Sequence, residues 1–445
     1  MKLRTIFTAL LTFTAVVVTN AETPEKTKTS EEKIPTENTA IQQKRPRFII
    51  GGYGEAVMTR NFYTDSWQRY SYPEKYVNEK GHGRFDLPHV TVFMGSDFGN
   101  GWSMGSEIEF EHGGTESAVE IEMEETGEYE SEIERGGEVA LEQFWIQKSW
   151  KPALNLRMGH IIVPIGLTNG HHDPTEFFGT FRPEGESTII PCTWHETGIS
   201  FWGEAKGWRY EAQFLAGLDA DRFNNRNWIK GGAGSPYEFK IANAYAGAFR
   251  VDNSSVKGLR IGLSAYVGNS AHNSLKKNSY ADLNGTVALG SLDFNYSDHN
   301  VIVRGSALYG HLTNSAQISQ TNRRLKGFGI TSPTNIGSDA IAVGLEAGYD
   351  FFSLNDKLRR AEQKFYLFAR YDYYDSMLKM GRDDKGKLLA DQKQWGRQKA
   401  TLGINYYPIK DIVIKAEYSY RIFERPFNNE PSFSIGIAYS GLFEK

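Results

Sequence analysis

From Arg47 onward the chain repeats one unit, a run of roughly ten residues with alternating apolar and polar side chains followed by a connection. Between Asp411 and Arg421, Ile412, Ile414, Ala416, Tyr418 and Tyr420 share one face, while Lys415, Glu417, Ser419 and Arg421 share the other. Leu259, Ile261, Leu263, Ala265 and Val267 alternate in the same way with Arg260, Gly262, Ser264 and Tyr266. A period of two sends successive side chains to opposite sides of a strand, so each run predicts a strand with one apolar and one polar face. Sixteen runs fall near 47–58, 86–97, 101–112, 138–149, 153–163, 194–204, 207–219, 240–250, 258–268, 285–296, 300–311, 338–352, 363–375, 397–407, 411–423 and 431–443.

The connections alternate in length. Those after even-numbered strands are mostly short, such as Phe98-Gly99-Asn100 and Ala205-Lys206, and those after odd-numbered strands are mostly long, such as 164–193 and 312–337. A soluble sandwich has no reason to place its long connections at one end. A transmembrane barrel does, with short periplasmic turns and long extracellular loops. The fold expected is therefore all-β, a transmembrane antiparallel β-barrel of about sixteen strands. In hydrocarbon every backbone N–H and C=O must be paired within the protein, and a closed sheet pairs them all. Trp102, Trp145, Trp202, Trp208 and Tyr406, near strand ends, are expected in interfacial girdles.

Mean hydropathy is −0.48, and no apolar stretch of helical-span length follows the first twenty residues, which excludes a polytopic helical membrane protein. One cysteine excludes a disulfide framework. Residues 1–21 read as a secretory signal, with Lys2 and Arg4 ahead of the apolar run Ile6–Val18 and small residues at Thr19-Asn20-Ala21. Residues 22–46, rich in Lys, Glu, Thr and Pro, read as a flexible periplasmic leader, and 47–445 as the barrel. The basic residues Lys44, Arg45 and Arg47 form a solvated collar, with no nucleic-acid partner expected.

A sixteen-strand cylinder is too wide for wall side chains alone to fill, so it holds water unless a loop plugs it. With the apolar faces toward lipid, parity sends Arg157, Arg209, Arg260, Arg304, Arg370, Lys415 and Arg421 inward, together with Glu55, Glu107, Glu109, Glu211, Glu346, Asp372 and Glu417. These are the candidate pore-lining residues, and opposite charges on one lumen sort ions. The third long connection carries His171, His172, Asp173, Arg182 and Glu184 among aromatics, too apolar a mixture to stand in solvent, and is expected to fold into the lumen as a constriction. Adjacent histidines do not share a strand face, so neither a metal nor another cofactor is expected there. The acidic run from Glu116 to Glu138 is expected to be a solvated surface segment, with divalent-cation bridging to lipopolysaccharide or attraction of cations at the mouth as its functional version.

The stretch Leu156-Arg157-Met158-Gly159-His160-Ile161-Ile162-Val163-Pro164-Ile165-Gly166-Leu167 and the opening strand Ile50-Gly51-Gly52-Tyr53-Gly54-Glu55 resemble the phosphate-selective porin O/P family in its Bacteroidetes-type form. That resemblance implies a homotrimeric outer-membrane channel in lipid and lipopolysaccharide, with a third-loop constriction and a basic path for anions. Arg157 is the residue that matches a motif position. The expected function is passive diffusion of small hydrophilic solutes and ions, without catalysis. The alternatives are a barrel adhesin or structural protein, and a barrel hydrolase, for which His89, His112, His160 and His195 would be the candidate bases but no nucleophile is marked.

Overall fold

The computed structural model describes residues 47–117, 120–123, 129–132, 135–233, 241–274, 277–280, 283–325 and 331–443. The signal and leader expected over 1–21 and 22–46 lie outside the described residues, as do the acidic side chains from Glu116 to Glu138. Among the described residues, sixteen antiparallel strands close into one ring. They are β1 (Arg47–Asn61), β2 (His89–Gly99), β3 (Trp102–Ser117), β4 (Arg135–Lys151), β5 (Leu154–Ile162), β6 (His195–Ala205), β7 (Trp208–Ala216) and β8 (Tyr245–Val256), followed by β9 (Leu259–Asn269), β10 (Thr286–Asp298), β11 (Val301–Leu312), β12 (Gly337–Asp350), β13 (Lys364–Met380), β14 (Gly396–Ile409), β15 (Ile412–Phe423) and β16 (Glu430–Leu442). The ring closes where β16 pairs with β1, with Gly51 opposite Leu442 and Asn61 opposite Ser432. A short strand, Gly83–Asp86, continues the line of β2 along β1 across a break at Leu87 and Pro88. Proline has no N–H to give to the ladder, which accounts for the interruption.

Several boundaries differ from the sequence expectation by a few residues, β3 running on to Ser117 and β13 to Met380. The eighth strand, expected over 240–250, runs Tyr245–Val256, so its polar face extends to Asp252. The connection between β12 and β13, residues 351–363, is longer than the other connections at its end of the barrel and holds a 3-10 turn and a one-turn helix, Asp356–Arg360, whose first turn is capped by the Asn355 side chain.

Burial in the wall is inverted relative to a soluble domain. Along β9, Ile261, Leu263 and Val267 are exposed on the outer face while Gly262, Ser264, Tyr266 and Gly268 are buried. Along β13, Leu367, Ala369 and Tyr371 face out while Arg370 and Asp372 are buried. Large apolar side chains bare on the outside are what hydrocarbon solvates, and polar groups kept within are what it excludes.

The interior is not water alone. The described residues of the long connections after β7, β9 and β11 turn inward at one end and build an apolar cluster against the wall. Leu218, Phe223, Trp228 and Ile229 from the first, Tyr280 from the second, and Ile318 and Ile336 from the third meet Tyr266, Leu289, Leu308 and Tyr374 of the strands. The Trp228 indole N–H donates to the Gly337 carbonyl at 2.9 Å, which satisfies its one polar atom. Gly310 permits this contact, because a Cβ there would stand 2.3 Å from the indole ring. Gly310→Leu is expected to displace Trp228 at a cost of about 1–3 kcal/mol. The measurement is the temperature at which the folded gel band converts to the unfolded one, which should fall.

Candidate functional site: the lumen and its crossing loop

The segment between β5 and β6, residues 163–194, crosses the lumen. Its neck is closed by Val163 N–H donating to the Trp194 carbonyl at 2.9 Å, and by the Asn169 amide donating to that same carbonyl at 3.1 Å. Glu186, on the single-turn helix α1 (Glu184–Ile189), accepts from the backbone N–H groups of Leu167 at 3.0 Å and Thr168 at 2.7 Å. These bonds fix the loop internally before it meets the wall.

The tip is then held from several directions. Gly166 N–H donates to Ser264 Oγ of β9, and Arg250 of β8 donates to the Gly166 carbonyl at 2.8 Å. Far around the ring, Lys415 Nζ of β15 donates to the carbonyls of Phe177 at 2.9 Å and Gly179 at 2.7 Å, and Glu417 accepts from Thr180 N–H at 2.9 Å. Phe178 stacks on Phe368 of β13 at 5.1 Å beneath the Arg304 guanidinium. Asp173 accepts from Ser440 of β16 at 3.0 Å, and Arg182 reaches Tyr53 of β1 and Glu109 of β3 at 3.4 and 3.8 Å. Glu184 pairs with Lys399 at 3.0 Å and Arg421 at 2.7 Å, and accepts a hydrogen bond from Tyr374. Burial alone would raise the Glu184 pKa; Arg421 and Lys399 outweigh it and hold the carboxyl well below the usual range.

Every residue expected inward by parity faces inward, and most of them fall into four groups. Arg157, Arg209, Glu211 and Arg260 line a cavity of about 740 Å3 between the short turn at 204–208 and the loop residues Pro164 to His172. Arg304 and Arg370 lie deeper, paired with Glu346 and Asp372. Lys415, Glu417 and Arg421 hold the crossing loop or its helix. Glu107 and Glu109 belong to an acidic wall on β3. Of the loop residues, His171 meets Glu176 at 3.3 Å, while His172 is buried and its pKa is lowered to about 4 by desolvation and the nearby Arg182.

Sequence reasoning missed Arg250, Asp252 and Asp293, which form a four-membered network with Arg260: Arg250 lies 2.8 Å from Asp252 and 2.9 Å from Asp293, and Arg260 lies 2.7 Å from Asp252 and 3.0 Å from Asp293. The displaced boundary of β8 hid Asp252, which lies beyond the expected end of that strand. Trp145 and Trp202 are a second correction. Both point inward rather than to a lipid interface, with Trp145 on the face of Gln143 and Gln147 and Trp202 on the face of Ser200 and Glu204. The Arg157 guanidinium lies over their rings, 4.4 Å from Trp145 and 5.6 Å from Trp202, while its Nε donates to Gln147 at 3.1 Å. Among the described residues, Arg157 alone of the four cavity arginines forms no ion pair. Trp102 and Trp208 do stand bare on the outer face.

No family model matches the chain. An uncharacterized protein of Aquifex aeolicus (strain VF5) is 29% identical over 181 residues, which is 41% of this chain and 35% of that relative, so the chain spans about a third of the relative's length. Among solved structures, Salmonella typhi OmpF in complex with daunomycin superposes over 88% of this chain and 97% of its own at 11% identity and a TM-score of 0.51. The outer membrane channel DcaP of Acinetobacter baumannii covers 89% and 97% at 10% identity and a TM-score of 0.49. The OmpF likeness is one of fold: a closed antiparallel barrel. Sixteen closed strands with an apolar exterior are the architecture of the outer membrane, and the chain is an outer-membrane β-barrel.

Proposed function

We propose that the protein is a porin, a passive and non-catalytic channel for small hydrophilic solutes and ions, narrowed by the loop 163–194. One observation carries this reading. Charged inward faces leave a polar cavity of about 740 Å3 that reaches from the short-turn end of the barrel to the underside of the crossing loop. Water-filled space of that kind conducts small solutes, and the loop sets the size limit. The cavity also favours anions. Arg157, Lys206, Arg209, Arg250 and Arg260 line it against Glu204, Glu211 and Asp252, and Asp293 behind them leaves a basic excess of one. Arg157, over two indoles and in no ion pair among the described residues, is the group whose charge a passing anion meets. The resemblance to the phosphate-selective porins adds a homotrimer, and the leading residues 1–21 and 22–46 complete the reading as export signal and periplasmic leader.

Swelling of liposomes containing the full chain tests the passage. Rates should fall steeply with the size of an uncharged sugar, and an absence of swelling with the smallest would contradict a channel. The anion preference has its own readout, the reversal potential in a potassium chloride gradient. Arg157→Gln keeps the stacking volume but removes the charge, and should move that potential toward the cation side; an unchanged potential would remove Arg157 from the path.

A further inference from the structure

We infer that Glu107, Glu142 and His172 form a binding site for a divalent first-row transition-metal ion, which ties the crossing loop to the wall at β3 and β4. The three come from separate places, Glu107 on β3, Glu142 on β4 and His172 on the loop, yet one ligand atom from each lies within 4.8 Å of the others. All three are buried, with Glu142 at 0% and His172 at 9% exposure. Glu142 lies against Thr193 and Glu109, which are near enough to interact with it, but neither of its carboxylate oxygens meets a partner in full hydrogen-bond geometry. The His172 ring is oriented by its Nδ1, 3.0 Å from the Asn169 carbonyl, which makes Nδ1 the donor and leaves the buried Nε2 without a hydrogen-bond partner. An imidazole fixed by a backbone carbonyl, with its other nitrogen unpartnered, is the arrangement of a metal-ligating histidine. Glu107 is oriented similarly, accepting from the Gln143 amide at 2.5 Å. Asp173 Oδ1 stands 3.9 Å from His172 Nε2, in reach as a further oxygen donor.

Two buried carboxylates this close together carry an unbalanced charge that is costly unless a cation or a proton offsets it. Arg182 is turned to Glu109 and Tyr53. A metal ion would satisfy lone pairs on all three side chains together. Bonds of about 2.0–2.2 Å place tetrahedral ligands about 3.4 Å apart, so rotation of the glutamate ends closes the set without moving the strands. The mixed nitrogen and oxygen donors select zinc-like or manganese-like ions over calcium and magnesium, which take oxygen alone. The neighbouring set of His89, Glu109 and Glu111 is already paired within itself, with His89 Nδ1 2.6 Å from Glu109 and Arg182 on the same carboxylate.

The test uses the full chain folded in detergent, stripped with chelator and titrated calorimetrically with zinc chloride, with the gel mobility of the folded barrel confirming each variant. The wild type should bind one equivalent, and the temperature of the folded-to-unfolded band shift should rise with zinc. Glu142→Gln and His172→Gln should each weaken binding at least about tenfold, and His89→Gln should leave it unchanged. The proposal is overturned by a wild type that binds no zinc, by folded variants at Glu142 and His172 that bind as well as wild type, by loss of binding in His89→Gln alone, or by equal affinity for magnesium chloride.

Discussion

Glu184→Gln is expected to open the channel at neutral pH, giving larger and noisier single-channel currents than the wild type. Glu184 is the loop's anchor on β13, β14 and β15, where it meets Tyr374, Lys399 and Arg421. Removing one charge from a buried ion network leaves the others uncompensated, at a cost of about 3–5 kcal/mol, the lower half applying to a partly accessible side chain such as this one. The variant keeps the carboxyl's shape but leaves Lys399 without its one carboxylate partner among the described residues, while Arg421 retains Glu430. Acid should act differently. Because the folded-state pKa is depressed, the anchor's stabilisation is fully present above the ordinary glutamate value of about 4.3 and is lost only as pH falls through the lower folded value. Recordings at pH 5 should therefore match those at pH 7 in the wild type. Opening at pH 5, or a silent Glu184→Gln, would detach this residue from the constriction.

Leu263→Arg should abolish or severely impair insertion, whereas Trp208→Arg should be nearly silent. Both side chains stand on the outer face, Leu263 62% exposed and in mid-strand, Trp208 at the first position of β7 beside the short turn. An arginine on the lipid face costs about 2–4 kcal/mol at the midplane and about 0–1 near the interface. Unfolding in urea from liposomes reads the difference directly. Equal costs at the two positions would mean that the apolar band does not contact lipid as the burial pattern requires.

Much of the wall was legible because its signal is local. A period of two states which residues share a face, so Lys415, Glu417 and Arg421 could be sent inward with no knowledge of their neighbours. The same rule, applied strictly, would have turned Trp145 and Trp202 inward too; reading aromatics near strand ends as girdle residues overrode it. What the lumen holds was less legible, because it depends on contacts across the ring. Phe177 and Lys415, or Thr180 and Glu417, meet over more than two hundred residues of sequence, and nothing in either segment names the other. The apolar cluster under Trp228 was hidden for a related reason. Its wall residues, Leu289 and Leu308 among them, sit toward the long-connection ends of β10 and β11, where both faces are locally apolar and alternation carries no information. His172 was set aside as a metal ligand by its sequence neighbours, while Glu107 and Glu142, which meet it, lie on strands far upstream.

The most direct measurement of the central claim is the single-channel current of the purified full chain in a planar bilayer. A polar passage narrowed by the crossing loop predicts discrete, resolvable conductance steps in potassium chloride, with a reversal potential displaced toward chloride in a salt gradient. A membrane that holds folded, heat-modifiable barrels and shows no steps would contradict the channel itself.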